Sequence, residues 1–327
     1  MIEEQTLFIL GAGASNCFSY PTGKELNDIL INEFSELDKR FFSVENGSYY
    51  DGKDTYDSKA LSSFTKSYKA SHPTLVDYFV ARNPNPLTKK LGVYGIALSL
   101  IKAEVNHFQE TSYSFNKDDW FSILFSRMTS GILDAGSLDR FMLNKCSFIT
   151  FNYDRLLEQL FYEALISNYS LDIHTVRTLL SSIKIVHTYG RLPALPYELS
   201  VLPSGVFQYG AHPNHAFITQ SLSSIKTIHD RKTKLDEINR EINKAKRIFI
   251  LGFGFAEENL GILNFRNNLG DTSLIMGTSI GISQAQKEKI LSNNFHVITT
   301  TQDGTNFYLG DPILVDVSCK KLLEDYL

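Results

Sequence analysis

Apolar residues along the chain fall into short unbroken runs separated by longer stretches with helical spacing. That alternation is the mark of a parallel sheet joined by crossover helices. Six runs stand out: "TLFIL" at 6–10, "CSFITF" at 146–151, "IKIVH" at 183–187, "RIFIL" at 247–251, "SLIMG" at 273–277 and "FHVIT" at 295–299. Several lack any polar interruption, as strands covered on both faces require. The pattern predicts an α/β fold with an open, doubly wound parallel sheet of about six strands.

Residues 11–145 separate the first two runs, far more than one crossover needs. The reading is therefore a sheet domain made of 1–20 and 145–327, with a mostly helical insertion at 21–144. Within the insertion, Leu26, Ile29, Leu30, Phe34 and Leu37 repeat at helical spacing over 24–42, and 74–109 and 118–134 also read as helical. Between them the polar, Gly- and Ser-rich stretch 43–63 reads as a loop. The longest later apolar run, "LGVYGIALSLI" at 91–101, has about half the length a bilayer crossing needs, and reads as a buried helix. Near the other end, 226–247 sets Leu235, Ile238, Ile242 and Ala245 on one helix face. The same window holds eight Lys or Arg against four acids, which reads as a solvated face, with a polyanion or partner contact as the alternative.

Composition changes this picture little: 43% of residues are hydrophobic and 21% charged, close to a globular average. A formal charge of −4 supplies no global field for nucleic acid or an anionic membrane, and favours a small-molecule or protein partner. Cys17, Cys146 and Cys319 are scattered without C-x-x-C spacing, which argues against a disulfide framework and a structural zinc site and fits a reducing cytoplasm. Glu3 and Glu4 stand where a secretory leader carries positive charge, so export is not expected. His212 and His215 lie three apart with no further ligand nearby, and read as a loop pair and not a metal site.

The candidate chemistry sits where strands end. After the first run, Gly11-Ala12-Gly13-Ala14-Ser15 lets bare backbone approach a bulky anion at the start of a helix, a pyrophosphate being the natural occupant; a plain tight turn is the competing reading. The third glycine of the dinucleotide-binding fingerprint is replaced by Asn16, which weakens the case for an ordinary NAD dehydrogenase. In "ITFNYDRLLEQL" at 149–160, Asn152 and Asp154 stand at a strand-to-helix junction, the edge at which open α/β sheets bind ligands. Asp154 is equally suited to capping that helix. The third run ends at His187 in "IVHTYGRL"; a structural histidine is the ordinary reading at a strand end, but an imidazole there can take a proton from water or a sugar hydroxyl if Asn152 and Ser15 share the rim. The fourth ends in "LGFGFAEENL", where Gly252 and Gly254 clear space and Asn259 is within reach of a ribose or adenine, a plain strand-to-helix turn being the competing reading.

Taken together, "GAGAS", "TFNYD", "HTYG" and "ILGFGFAEENL" resemble, in that order, motifs of the sirtuin family, and more closely those of its bacterial sirtuin-like branch found in phage-defence proteins. The resemblance covers 1–20 and about 145–300. It implies a Rossmann-like fold that binds NAD+ as substrate and cleaves its nicotinamide N-glycosidic bond. Carried across position by position, it implies that Gly11, Ala12, Gly13 and Ser15 hold the pyrophosphate and nearby ribose, Asn152 orients the attacking water, Asp154 supports the nicotinamide end and His187 is the general base. Regulated NAD+ hydrolysis in abortive phage defence follows, with the insertion as the place for self-assembly into a homo-oligomer or for a regulatory or phage partner. A non-catalytic NAD or ADP-ribose sensor and an ADP-ribosyltransferase are the alternatives.

The chain departs from the deacylase branch in three ways. It lacks the four-cysteine zinc module, so no zinc is implied. Where the deacylases carry a G-I-P-D-F-R-like segment it reads "CFSYPTG", keeping only Pro21. Relatives often place the histidine directly before the glycine, whereas here Tyr189 precedes Gly190 and His187 lies two residues back on the same strand face, which leaves open which of the two occupies the family position.

Overall fold

The computed structural model describes residues 1–32, 58–73, 75–110, 117–198, 205–226, 234–300 and 306–327. Five of the six apolar runs form β1 (Thr6–Leu10), β2 (Cys146–Thr150), β3 (Lys184–His187), β4 (Arg247–Leu251) and β5 (Leu274–Thr278). The remaining strands are β6 (Val297–Thr300), β7 (Asn306–Tyr308) and β8 (Pro312–Val315). One six-stranded sheet runs in the order β3-β2-β1-β4-β5-β8, every neighbouring pair parallel. The fold is Rossmann-like and doubly wound: the chain leaves β1 in one direction to β2 and β3, then returns to its other side with β4.

The sixth run is a correction. Its residues pair antiparallel with β7, apart from the main sheet, whose sixth place is taken by β8. Val297 and Ile298 are 46% and 64% exposed, incompatible with a strand covered on both faces. Segment 312–315 escapes pattern reading because Pro312 opens it, a residue suited only to a strand's first position or a sheet edge.

All of β1 is buried, and Phe8 stacks on Phe148 at 5.1 Å and Phe249 at 5.6 Å, its register partners in β2 and β4. An aromatic row thus crosses the three central strands. Phe161 closes over Phe148 at 5.8 Å and itself meets Phe121 at 4.9 Å.

Among the described residues, the regular structure between β1 and β2 is all helical: α1 (Ala12–Asn16), α2 (Gly23–Asn32), α3 (Ser58–Ala70), α4 (Val76–Arg82), α5 (Pro86–Glu110) and α6 (Trp120–Thr129), followed by a 3-10 segment, Ala135–Leu143. The expected helix over 24–42 is realised to Asn32; 33–42 and 43–57 of the expected loop lie outside the described residues. The end of that loop, 58–63, is instead the start of α3, where Leu61, Phe64 and Tyr68 bury one face. The helical stretch 74–109 divides at "NPNP": Pro84 holds Asn83 in extended backbone, and Pro86 begins α5 with Asn85 Oδ1 accepting from the Leu87 N–H at 2.9 Å.

After β2 come α7 (Leu156–Tyr169), α8 (Ile173–Ser181), α9 (His215–Ser224), α10 (Leu235–Lys244), α11 (Glu257–Leu263), α12 (Phe265–Asn268), α13 (Gln284–Asn294) and α14 (Cys319–Tyr326). His212 and His215 flank Asn214, whose side chain caps α9 by accepting from the Phe217 N–H at 2.9 Å. In the basic window, Lys244 pairs with Glu241 and Lys246 with Asp271; residues 227–233 lie outside the described set.

One apolar core runs through both the sheet and the helices between β1 and β2. At its centre Arg155, fully buried, forms a two-pronged ion pair with the equally buried Glu104 of α5 (2.9 and 2.5 Å) and donates to the carbonyls of Pro193, Phe207 and Gln208. Such a pair persists only when every donor is satisfied. Among the described residues no helix is long and apolar enough to cross a membrane.

Candidate functional site: a cleft at the carboxyl ends of the strands

Because β2, β1 and β4 pair in register, Leu10, Thr150 and Leu251 end at one level and the following loops emerge side by side. A cleft of about 680 Å³ opens there, at the point where the strand order reverses, the place at which open α/β sheets bind ligands. Gly11, Ala12, Gly13, Asn152, Asp154, Gly252, Gly254 and Asn259 all line it.

The glycines do not share one purpose. A Cβ on Gly11 or Gly13 would meet the Gly252 carbonyl oxygen at 2.5 or 2.8 Å, and one on Gly252 (φ +57°) would meet the Ala14 nitrogen at 2.0 Å. The first and fourth strand-end turns are pressed together, with the Gly13 N–H donating to the Gly252 carbonyl at 2.9 Å. Gly11 and Gly13, expected to lie against a phosphate, and Gly252, expected to clear space, line the cleft and also make room for one another. Gly254 differs, since a Cβ there would meet nothing within 4 Å, and its backbone is open to the cleft.

Asn152, Ser15 and Asp154 form one buried network. The Asn152 amide donates to the Gly11 carbonyl at 3.1 Å and to Ser15 Oγ at 3.0 Å, and Ser15 Oγ donates to Asp154 Oδ2 at 2.9 Å. Asp154 Oδ1 accepts from the Leu156 N–H at 3.1 Å, so this carboxylate also caps the start of α7. Ser15 itself does not line the cleft; it fixes the two residues that do. Burial pushes the Asp154 carboxyl up to about 6, although the Ser15 and Leu156 hydrogen bonds favour the anion. Trp120 of α6 anchors the turn from behind, Nε1 donating to the Ala14 carbonyl at 2.7 Å.

His187 is placed differently from expectation. Its ring lies behind the cleft wall, Nε2 facing Glu158 Oε1 at 2.7 Å and Nδ1 facing the Asn152 carbonyl at 3.3 Å. Both nitrogens point at acceptors inside the protein, and the residue does not line the cleft. Tyr189 does, and its hydroxyl donates to Asn259 Oδ1 at 2.6 Å. Strand alternation would put these two residues on one face, but the turn after β3 breaks it, so that His187 faces inward and Tyr189, just before Gly190, stands at the cleft.

Sequence reading missed the contribution of α4. Asp77 and Tyr78 line the cleft opposite the strand ends, with Asp77 Oδ1 accepting from the Tyr153 hydroxyl at 2.5 Å and Tyr78 hydrogen-bonded to Glu258. Burial raises the Asp77 carboxyl above the usual range, against the Tyr153 hydrogen bond. The signal was present in "LVDYFV", an acid inside an otherwise apolar helical stretch. Residues between β1 and β2 thus build one wall of the site.

The chain matches no protein-family model and no curated protein.

Proposed function

We propose that the cleft binds NAD+ and hydrolyses its nicotinamide N-glycosidic bond, giving nicotinamide and ADP-ribose. The observation that carries this reading is the meeting of Asn152 and Asp154 in one cleft beside the Gly11–Gly13 turn, at the strand-order reversal. Asn152 commits its amide hydrogens to Gly11 and Ser15, which leaves its carbonyl oxygen to hold a water. Loss of neutral nicotinamide leaves an oxocarbenium-like ribose, the water oxygen bonds to the anomeric carbon, and its proton passes to a carboxylate. Asp154, near 6, is suited to that exchange at neutral pH, and Asp77 faces the same space. His187 has no part in this version. Control of such an enzyme, as in abortive phage defence with self-assembly or a partner, is part of the same proposal.

One observation favours a second reading, a nucleotide sensor without turnover: Tyr189 occupies the position before Gly190 and His187 is turned away. Incubation with NAD+ separates the two, since the enzyme releases nicotinamide and the sensor binds without product. Gly254→Leu fills the open side of the cleft without backbone strain, and abolishes binding under either reading. Unchanged NAD+ affinity in that variant refutes both.

A further inference from the structure

A second cavity, of about 350 Å³, lies against β3 and shares no residue with the cleft. Its walls carry three cations, Arg177, Arg191 and Lys234, with Leu180, Ile183 and Ile185 forming an apolar side. Arg191 is occupied, paired with Glu158 at 3.4 Å and with Glu198 at 2.6 Å. The other two cations have no carboxylate paired to them among the described residues. Arg177 donates Nε to the Tyr197 carbonyl at 3.1 Å, and neither its terminal nitrogens nor the Lys234 ammonium forms a hydrogen bond or ion pair with the described residues. Burial pushes the Lys234 ammonium below its ordinary range, with the charges of Arg191 and Lys184 adding to the effect and Glu237 opposing it. Glu158, 7% exposed, gives one oxygen to His187, and its other, Oε2, has no hydrogen-bond partner. Burial favours the protonated form of Glu158, but Arg191 and His187 outweigh it and hold the carboxylate ionised.

Two available cations, a buried carboxylate oxygen lacking a donor and an apolar wall are the complement of a phosphate joined to a hydroxyl-bearing ring. We propose that this cavity is a second ligand site, which takes a phosphorylated sugar, free or within a mononucleotide. Arg177 and Lys234 hold the phosphate, Glu158 accepts a sugar hydroxyl, and the ring packs on Leu180, Ile183 and Ile185. The volume, at the lower end of the small-ligand range, suits a mononucleotide better than a dinucleotide. Glu158 is bonded to His187, which reaches the Asn152 carbonyl, so a ligand on Glu158 sits two contacts from the cleft wall.

Titration calorimetry of the full chain with ribose 5-phosphate, AMP and inorganic phosphate tests the site without NAD+, so the outcome stands apart from the proposed hydrolysis. Ribose 5-phosphate is expected to bind at one site and inorganic phosphate more weakly, with AMP measured in Gly254→Leu, whose cleft is closed to a nucleotide. Lys234→Met and Arg177→Met are each expected to lose about tenfold or more in affinity, as for a hydrogen bond to a charged group, with unchanged melting curves. Gly254→Leu, altered only in the cleft, is expected to bind as the parent does. The proposal is overturned by absence of binding, by affinity unchanged in both cavity variants, by inorganic phosphate binding as tightly as the sugar phosphate, or by loss of binding in Gly254→Leu.

Discussion

Replacing Asp154 by Asn separates what this residue does for stability from what it does in the cleft. In the unfolded chain its carboxyl titrates at the ordinary 3.8, and in the folded protein at about 6. Between those values the folded state keeps a proton that the unfolded state has released, so stability falls as pH rises through the window and stays low above it. The shift corresponds to about 3 kcal/mol in all, of which about 1.4 kcal/mol falls between pH 5 and pH 8. The amide introduced by Asp154→Asn carries no such charge, yet keeps an oxygen to accept from the Leu156 N–H. Urea denaturation of parent and variant at pH 5 and pH 8 is the assay, other titrating groups cancelling in the difference. Asp154→Asn is expected to gain about 1.4 kcal/mol on the parent as pH rises from 5 to 8, and to lose NAD+ turnover at both. Parallel pH dependence in the two proteins refutes the reasoning, because it means that burial does not disfavour the Asp154 anion.

Gly252→Ala places a methyl group against the Ala14 nitrogen at a residue with φ +57°, and is expected to cost about 3 kcal/mol or more from left-handed backbone strain and overpacking together, read as a lower urea midpoint. Arg155→Met strands the buried Glu104 carboxylate and is expected to cost about 3–5 kcal/mol by the same measurement, with Glu104→Gln added in the same chain recovering part of the loss. Asp77→Asn is expected to lower NAD+ turnover about a hundredfold or more, and His187→Gln by less than that, because only Asp77 faces the cleft; the kcat values of the two variants decide it.

The sheet was legible because its central strands are buried on both faces and therefore write their apolar character without interruption, as "TLFIL" and "RIFIL" do. The edge was not: Pro312 hides the sixth strand, and the exposed Ile298 imitates one. Strand ends also located the cleft, since topology alone brings Gly11, Asn152 and Gly252 to one level. Side-chain direction past a strand end is set by the turn that follows and not by strand alternation, which is why His187 and Tyr189 could be told apart only in three dimensions. Asp77 was beyond reach for a different reason. It meets Tyr153 across 76 positions of sequence, and no local pattern encodes where α4 docks. The glycines show the converse: their spacing was visible, but the close contact that requires it is with the protein's own turn after β4.

The central claim is that the cleft beside Gly11 and Asn152 breaks the bond between nicotinamide and ribose. Purified full-length protein incubated with NAD+, with nicotinamide and ADP-ribose followed by chromatography, tests it most directly, alongside Asn152→Ala and Gly254→Leu. Equimolar nicotinamide and ADP-ribose from the parent chain, and neither from the two variants, is the result the account predicts. Continued nicotinamide release by Asn152→Ala contradicts it.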